Sequence, residues 1–177
     1  KRTYNDALAF QNINLAASSE SEEYVSPPEF CDWNFSHNDS YVHFCQNETI
    51  HGVEYFNTPS IDVPLVVDMS STILSRQVDI SKYGVIYAGA QKNVGPSGLT
   101  ILIVRDDLLE RSRIDTPTTY NWKIQSENDS MINTPTTYSI YMAGLVFEWL
   151  MSCGGLSEIE KLNIKKSKLL YDYIDNS

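Results

Sequence analysis

Lys92 has the surroundings most suggestive of chemistry in this 177-residue chain. An apolar, strand-like run, 85–87, ends shortly before it, and a turn containing Gly95, Pro96 and Gly98 follows it. A lysine delivered to a strand end among small residues can lie close to a flat bound ligand. In a dry pocket or beside other cations its pKa falls, and the amine becomes a nucleophile that can later carry a proton. The alternative is an ordinary turn lysine.

Asp68 closes a second apolar run, Pro64–Val67, and precedes Lys92 by 24 residues. Ligands of open α/β sheets gather at the carboxyl ends of strands, and this spacing allows two neighbouring strand ends to face one small ligand. The carboxylate could pair with the protonated nitrogen of a pyridine cofactor. It could equally cap the backbone of Met69–Ser71 with no ligand involved. The pattern of the two residues leaves both interpretations open.

Hydroxyl-bearing residues follow one strand-like run and precede one helical segment. Thr49 lies just beyond the run Tyr41–Cys45 and could donate a hydrogen bond to an oxygen of a cofactor ring. The cluster Asn133–Thr137 precedes an apolar segment and could bind a phosphate, since hydroxyls and helix N-termini bind anions. Its alternative role is to cap that helix through Thr137 or Ser139.

The hydrophobic pattern predicts an α/β fold in which a central sheet is flanked by helices. Three continuous apolar runs predict strands buried on both faces. They are 64–67, 85–87 and 99–104, and shorter strands are expected at 41–45 and 53–56.

Helices are predicted at both ends of the chain. One ends near Phe10, and a largely buried helix is predicted over Ser139–Ser152, with Gly154–Gly155 ending it. The stretch Ser157–Glu160 matches a capping box, which opens a last helix over about 158–174.

Composition excludes several classes of partner and site. The formal net charge of −10 disfavours a nucleic-acid partner, because phosphate backbones bind clustered Lys and Arg. No apolar run reaches about 18 residues, so no membrane span is expected. Cys31, Cys45 and Cys153 are odd in number and lack a C-x-x-C pair, which predicts reduced thiols in the cytoplasm and no metal site. His43 and His51 are interpreted as structural.

The lysine block Ala88–Gly98 closely resembles the cofactor-binding segment of phosphoserine aminotransferases, which are class-V, fold-type-I enzymes dependent on pyridoxal phosphate. The resemblance continues in the same order over most of the chain. Its other parts are 41–43, 47–53, 68–76, 78–87, 103–109, 133–135 and 144–150. A match of this extent is specific.

The resemblance implies a fold with a central, mainly parallel sheet flanked by helices, and a homodimer whose active sites lie at the subunit interface. Lys92 would carry pyridoxal phosphate as an internal aldimine, and Asp68 would pair with its pyridine nitrogen. Thr49 would contact the phenolic oxygen of the cofactor, and Gln91 would contribute to its phosphate pocket. Asn133 and Thr134 would reach the phosphate of the cofactor bound mainly by the other subunit.

The reaction implied is transfer of the amino group of glutamate to 3-phosphohydroxypyruvate, giving O-phosphoserine and 2-oxoglutarate. Residues 1–155 would belong to the cofactor-binding large domain, and 156–177 would form a helix leading toward a small C-terminal domain absent from this sequence. We therefore expect an internal piece of a longer protein that is inactive by itself. The alternatives are another fold-type-I enzyme, such as a cysteine desulfurase or a lyase, and a truncated subunit without catalytic activity.

Overall fold

The structure, a computed structural model, describes residues 2–177. These residues form a four-stranded sheet, a two-stranded hairpin and five α-helices. The strands are β1 (Val42–Cys45), β2 (Asn47–Glu48), β3 (Val53–Glu54), β4 (Leu65–Asp68), β5 (Val85–Gly89) and β6 (Thr100–Val104). The helices are α1 (Arg2–Ala7), α2 (Asp106–Leu109), α3 (Trp122–Glu127), α4 (Thr137–Ser152) and α5 (Leu156–Asp175).

The larger sheet has the order β1-β4-β5-β6, in which the first three strands are parallel and β6 runs antiparallel to β5. The predicted α/β class, with a mainly parallel sheet, is confirmed, and each predicted strand is present to within one or two residues. The run predicted at 53–56 forms the two-residue strand β3, which pairs with β2 in the separate hairpin.

One face of the sheet carries the main core. Phe44, Val67 and Ile86 occupy one row of partnered positions across β1, β4 and β5, and all three are buried. Trp33 and Tyr55 pack against this row, and the Trp33 ring meets the Phe44 ring edge-on at 5.5 Å. Each side chain buried in this way stabilises the fold by about 1.5–3 kcal/mol.

A smaller core lies beyond β5, where Ala90 and Val94 pack against Ala143 of α4. It fixes the turn that carries Lys92 against a helix from the second half of the chain.

The prediction that the run 99–104 is buried on both faces is wrong within residues 2–177. β6 is an edge strand here, and Leu102 and Ile103 are 40% and 37% exposed. A continuous apolar run shows that the side chains are hydrophobic. It does not show whether the residues that pack against them belong to this stretch of the chain.

The prediction of a largely buried helix over Ser139–Ser152 is wrong in the same sense. The helix forms, but only Ser139, Ala143 and Leu150 are buried in α4. Tyr141 and Trp149 stay exposed. One stripe of the helix packs on the lysine turn, and its remaining apolar surface is uncovered in the described part of the chain.

The two last helices are joined by glycines, as predicted. Gly154 and Gly155 have φ angles of +95° and +81°, which L side chains rarely adopt, so the helical hydrogen bonding stops there. The predicted capping box is wrong, because α5 begins at Leu156 and its N-cap residue is Gly155. Ser157 therefore lies inside the helix instead of before it.

α5 is tied to the turn segment after β4 by a long-range hydrogen bond, in which Asn163 Nδ2 donates to the Ser75 carbonyl at 3.1 Å. No single helix within residues 2–177 has both the length and the apolar character to cross a membrane. α4 and α5 meet those criteria only as a pair, across a bend of 86°.

Candidate active site

Three polar side chains lie in one row across the parallel strands, at the last residues of β1 and β4 and in the middle of β5. Cys45, Asp68 and Tyr87 are register partners on β1, β4 and β5. Since partnered side chains share a face of the sheet, these three lie on the face opposite the main core. Asp68 and Tyr87 are only partly buried and Cys45 is exposed, so a ligand can approach this face.

Lys92 meets Thr49 directly beyond this row. The Nζ atom of Lys92, in the turn after β5, donates a hydrogen bond to Thr49 Oγ1 at 3.3 Å. The two residues are 43 apart in the chain, and both are exposed. Lys92 forms no ion pair with a carboxylate within residues 2–177. The structure thus brings together a primary amine and a hydroxyl that the sequence suggested separately.

Asp68 ends β4 and also caps the turn that follows. Its Oδ1 atom accepts a hydrogen bond from the backbone N–H of Ser70 at 2.8 Å. The capping role considered from the sequence is therefore present. It uses one carboxylate oxygen, so it is compatible with a ligand at the other.

Two serines after Asp68 tie the neighbouring loops together. Ser70 Oγ accepts from the Gly89 N–H at 3.0 Å, and Ser71 Oγ donates to the Asn47 carbonyl at 3.1 Å. These bonds hold the turn after β4 to the end of β5 and to the loop that carries Thr49. Neither serine was among the residues predicted to belong to the site, although the run of hydroxyl residues directly after Asp68 was a signal for them.

The Thr49 turn is held by Glu48. Its carboxylate accepts hydrogen bonds from the backbone N–H groups of Ile50 and His51 at 3.0 and 2.9 Å, and it lies 3.1 Å from His51 Nδ1. Desolvation would raise the pKa of Glu48, but the bonds from His51 and Ile50 outweigh it and lower that pKa. His51 thus helps to hold the turn that carries Thr49.

Gln91 folds back over the end of β5. Its Oε1 atom would lie only 2.6 Å from a Cβ at Gly89, so the missing side chain at Gly89 makes room for this amide. Gln91 is exposed and presents a polar group beside Lys92.

Asn133 and Thr134 are exposed, and no hydrogen bond within the described chain joins them to Lys92, Asp68 or Thr49. The structure does not bring these two residues into the cluster formed by the other candidates.

The start of α4 does reach the lysine turn, because Ser139 Oγ donates to the Ser97 carbonyl at 2.9 Å. The predicted cap by Thr137 or Ser139 is wrong. Thr136 is the N-cap residue, it makes no side-chain cap bond, and its hydroxyl donates instead to Ser139 Oγ at 3.1 Å.

His43 and Tyr87 form a pair that the sequence analysis missed. His43 Nε2 lies 2.9 Å from the Tyr87 hydroxyl, and the two rings stack with centroids 5.9 Å apart. Burial lowers the pKa of His43, although the charge of Asp68 opposes this. Burial and then the charge of Asp68 raise the pKa of Tyr87 to about 12. The pair is 44 residues apart in the chain and becomes visible only once the strands are aligned.

The cluster combines an amine that has no carboxylate partner in the described chain, a hydroxyl, and a carboxylate on the neighbouring strand. An amine can attack a carbonyl carbon, and a carboxylate can hold a protonated ring nitrogen. Within residues 2–177, no group of three or more His, Cys, Asp or Glu side chains is arranged to hold a metal ion.

Comparison with known proteins gives one consistent result. The sequence model of the family described as Aminotransferase class-V matches residues 6–177. A phosphoserine aminotransferase from Herminiimonas arsenicoxydans is 52% identical over 177 residues, which cover 99% of this chain and 49% of that protein. One from Marinomonas is 51% identical over 176 residues, with the same coverage of 99% and 49%.

Solved structures agree with the sequences. The phosphoserine aminotransferase of Bacillus circulans subsp. alkalophilus superposes with a TM-score of 0.93 at 41% identity, over 97% of this chain and 48% of that one. The pyridoxal-phosphate-bound enzyme of Trichomonas vaginalis gives a TM-score of 0.82 at 41% identity, over 86% and 45%. This chain spans about half the length of the curated relatives it matches. The family model, which accounts for nearly every residue of the sequence, shows that the chain belongs to the class-V aminotransferases.

Proposed function

We propose that this chain forms the cofactor-binding part of a phosphoserine aminotransferase dependent on pyridoxal phosphate. The enzyme transfers the amino group of glutamate to 3-phosphohydroxypyruvate, giving O-phosphoserine and 2-oxoglutarate. The observation that carries the proposal is the contact of Lys92 Nζ with Thr49 Oγ1 at 3.3 Å, one strand away from Asp68. The names of the relatives support the choice of substrate.

The residues present fit the cofactor. Lys92 has no carboxylate to neutralise it within residues 2–177, and its side chain is exposed at the strand ends. The space above Gly89 admits the amide of Gln91, which would contribute to the phosphate pocket. One oxygen of Asp68 accepts from Ser70, and the carboxylate can still accept from a ring N–H.

Pyridoxal phosphate, when bound, accepts the amino group and delocalises the electrons released at the α-carbon of the substrate. Lys92 would hold the cofactor through Nζ, and the same amine, once free, would move a proton from the α-carbon of the substrate. Positioned acid–base catalysis of this kind contributes about 10²- to 10⁴-fold in rate.

Asp68 and Thr49 would orient the cofactor and set its charge. The carboxylate of Asp68 would accept the hydrogen bond of the ring N–H and favour the protonated nitrogen. The hydroxyl of Thr49 would contact the phenolic oxygen. Because both side chains lie on elements joined by Ser70 and Ser71, their separation is fixed before the cofactor arrives.

We also propose a cytoplasmic homodimer with shared active sites. The exposed apolar surface of α4, which includes Tyr141 and Trp149, supports a partner that covers it. Asn133 and Thr134, exposed just before that helix, would contribute to the phosphate site of the other subunit. The division at residue 155 between large domain and connecting helix stays a prediction; the glycine break between α4 and α5 supports it.

The test is the absorption spectrum of the full-length gene product with pyridoxal phosphate, before and after addition of glutamate. We expect the band of the lysine-bound cofactor to convert to that of the aminated cofactor, and 3-phosphohydroxypyruvate to reverse the change. A band that glutamate leaves unchanged would favour a desulfurase or lyase. A protein that gives no band at all would contradict the role of Lys92.

A further inference from the structure

The hairpin that carries Thr49 is short. Its strands β2 and β3 have two residues each, and Thr49 lies in the loop between them. An isolated two-stranded hairpin is at best marginally stable in water. Contacts from outside the hairpin must therefore fix the position of Thr49.

The segment after Asp68 holds both members of one residue pair at the base of this hairpin. Asn47 and Glu54 are register partners, at the end of the hairpin opposite its loop. The Asn47 carbonyl accepts a hydrogen bond from Ser71 Oγ at 3.1 Å. The Glu54 carboxylate accepts one from Arg76 Nη1 and forms an ion pair with it. Ser71 thus holds the first strand of the hairpin, and Arg76 holds the second.

The Arg76 guanidinium contacts three consecutive residues at the end of β3. Besides pairing with Glu54, its Nη2 atom donates to the Tyr55 carbonyl at 3.4 Å, and its Cζ atom lies 5.1 Å from the centroid of the Phe56 ring. The side chains of Arg76 and Glu54 are only 17% and 20% exposed. Because water screens such a pair less than a pair at the surface, loss of one partner leaves the other charge poorly compensated.

The lysine turn is fixed to the same segment. Asn93, directly after Lys92, donates from Nδ2 to the Ile73 carbonyl at 2.6 Å. Residues 73–76 therefore hold both the lysine turn and the hairpin. The 3.3 Å contact between Lys92 Nζ and Thr49 Oγ1 depends on these two attachments.

We propose that Arg76, through its ion pair with Glu54, is a positioning residue that fixes the Thr49 hydroxyl relative to Lys92 and to the phenolic oxygen of pyridoxal phosphate. This inference rests on the proposed function. Without the ion pair, Ser71 still holds β2, but the end of β3 is released and the hydroxyl samples more positions. The loss of binding then cannot exceed the contribution of the hydroxyl itself.

The first test measures the dissociation constant of pyridoxal phosphate from the cofactor-free, full-length gene product by fluorescence titration. Thr49→Val, which removes the hydroxyl and keeps the branched shape, should raise the constant about tenfold, as for one hydrogen bond to a charged group. Arg76→Gln should raise it about fivefold, and Glu54→Gln by a similar factor, because either substitution breaks the same pair. An unchanged constant in Arg76→Gln would overturn the proposal.

A double-mutant cycle tests whether the effect of Arg76 passes through Thr49. In a Thr49→Val background, Arg76→Gln should change the dissociation constant by less than about twofold. A purely structural role of Arg76 would weaken binding equally in both backgrounds. A fivefold weakening that persists in the Thr49→Val protein therefore refutes the proposal.

Arg76→Lys tests the ion pair by conservative replacement. The lysine keeps the charge that pairs with Glu54 but loses the planar fork that also reaches the Tyr55 carbonyl. We expect the dissociation constant to stay within about twofold of that of the unaltered protein. A loss as large as that in Arg76→Gln would contradict the role given to the ion pair.

Two control variants separate positioning from loss of charge and from loss of stability. Arg105→Gln breaks an exposed pair with Asp107 beyond β6, and Val85→Ala removes a buried side chain at the first residue of β5. Val85→Ala should lower the urea midpoint of unfolding, yet both variants should bind the cofactor as the unaltered protein does. Weakening in either control as large as that in Arg76→Gln would overturn the proposal.

The same titrations distinguish failure of this inference from failure of the proposed function. An unaltered full-length protein that does not bind pyridoxal phosphate would refute the proposed function. Normal binding by the unaltered protein, with the same binding by Arg76→Gln, refutes only the positioning role of Arg76.

Discussion

Two regions of the molecule differ in how far their apolar side chains are buried. One is formed by β1, β4 and β5, and the other by β6 and α4. In the first region Val67 and Ala88 are 0% exposed, and the side chains of Asp68 and Ser70 accept hydrogen bonds from backbone N–H groups of the adjoining segments. In the second, Trp149 is 54% exposed, and the outer edge of β6 is unpaired within residues 2–177. The region that positions Lys92, Thr49 and Asp68 is built on a closed apolar core, whereas the region of β6 and α4 leaves apolar side chains exposed within residues 2–177.

Lys92→Ala gives the largest expected effect, and it tests the region that carries the reactive groups. We expect turnover by the full-length gene product to fall by at least about 10²- to 10⁴-fold, because the proton at the substrate α-carbon loses its carrier. The unfolding midpoint should hardly change, since Lys92 is exposed. Lys82→Ala, at another exposed lysine just before β5, is the control for loss of a surface charge. Retained turnover in a folded Lys92→Ala protein would refute the assignment.

Asp68→Asn is expected to weaken cofactor retention by about 10- to 100-fold and to slow the proton transfer, because a neutral amide no longer holds the ring nitrogen charged. The amide oxygen can still accept from the Ser70 N–H, so the turn after β4 should persist. Dialysis of the loaded protein, followed by absorbance, measures the loss. Asp79→Asn, at an exposed turn that bonds Ser81, should retain cofactor normally. Equal retention by both variants would count against the ion pair.

Paired alanine substitutions compare the two regions directly. Val67→Ala should lower the free energy of unfolding by about 2 kcal/mol, because a fully buried side chain leaves a cavity. Leu145→Ala removes a larger side chain from the exposed surface of α4, yet it should change the unfolding of the separated subunit by less than about 0.5 kcal/mol.

Denaturant titrations at several protein concentrations separate the possibilities. If a second subunit covers α4, Leu145→Ala lowers the free energy of unfolding only at protein concentrations where the dimer forms. A large loss of unfolding free energy at every concentration would mean that the same polypeptide covers Leu145. The two regions would then be equally buried in the full-length protein.

The smallest predicted effect is a pH dependence from His43. Burial lowers its pKa below the ordinary value of 6.5. Below about pH 6.5 the unfolded chain therefore takes up a proton that the folded chain does not, and stability falls as pH falls, by at most about 1.4 kcal/mol per pH unit. His43→Gln should flatten this slope in urea titrations. His37→Gln, at an exposed histidine 3.7 Å from Asp62, should not. Parallel slopes in all three proteins would contradict the prediction.

The elements with local signals could be predicted from the sequence. β1, β4 and β5 are short apolar runs that end in polar residues, and Lys92, Thr49 and Asp68 lie just where such strands end. Burial of β6 and α4 could not be predicted, because it depends on what packs against them. The His43–Tyr87 pair and the serine bonds also escaped notice, since they exist only through the register of strands far apart in the chain.

The hydrogen bond from Asn163 to the Ser75 carbonyl links α5 to the segment that begins at Asp68. A rotation of α5 about the glycines at 154–155 that breaks this bond costs about 1 kcal/mol and releases the Ser75 carbonyl. Because the bond is shared, displacing either α5 or the segment around Ser75 removes a contact of the other. The position of the last helix therefore affects the stability of the segment that follows Asp68.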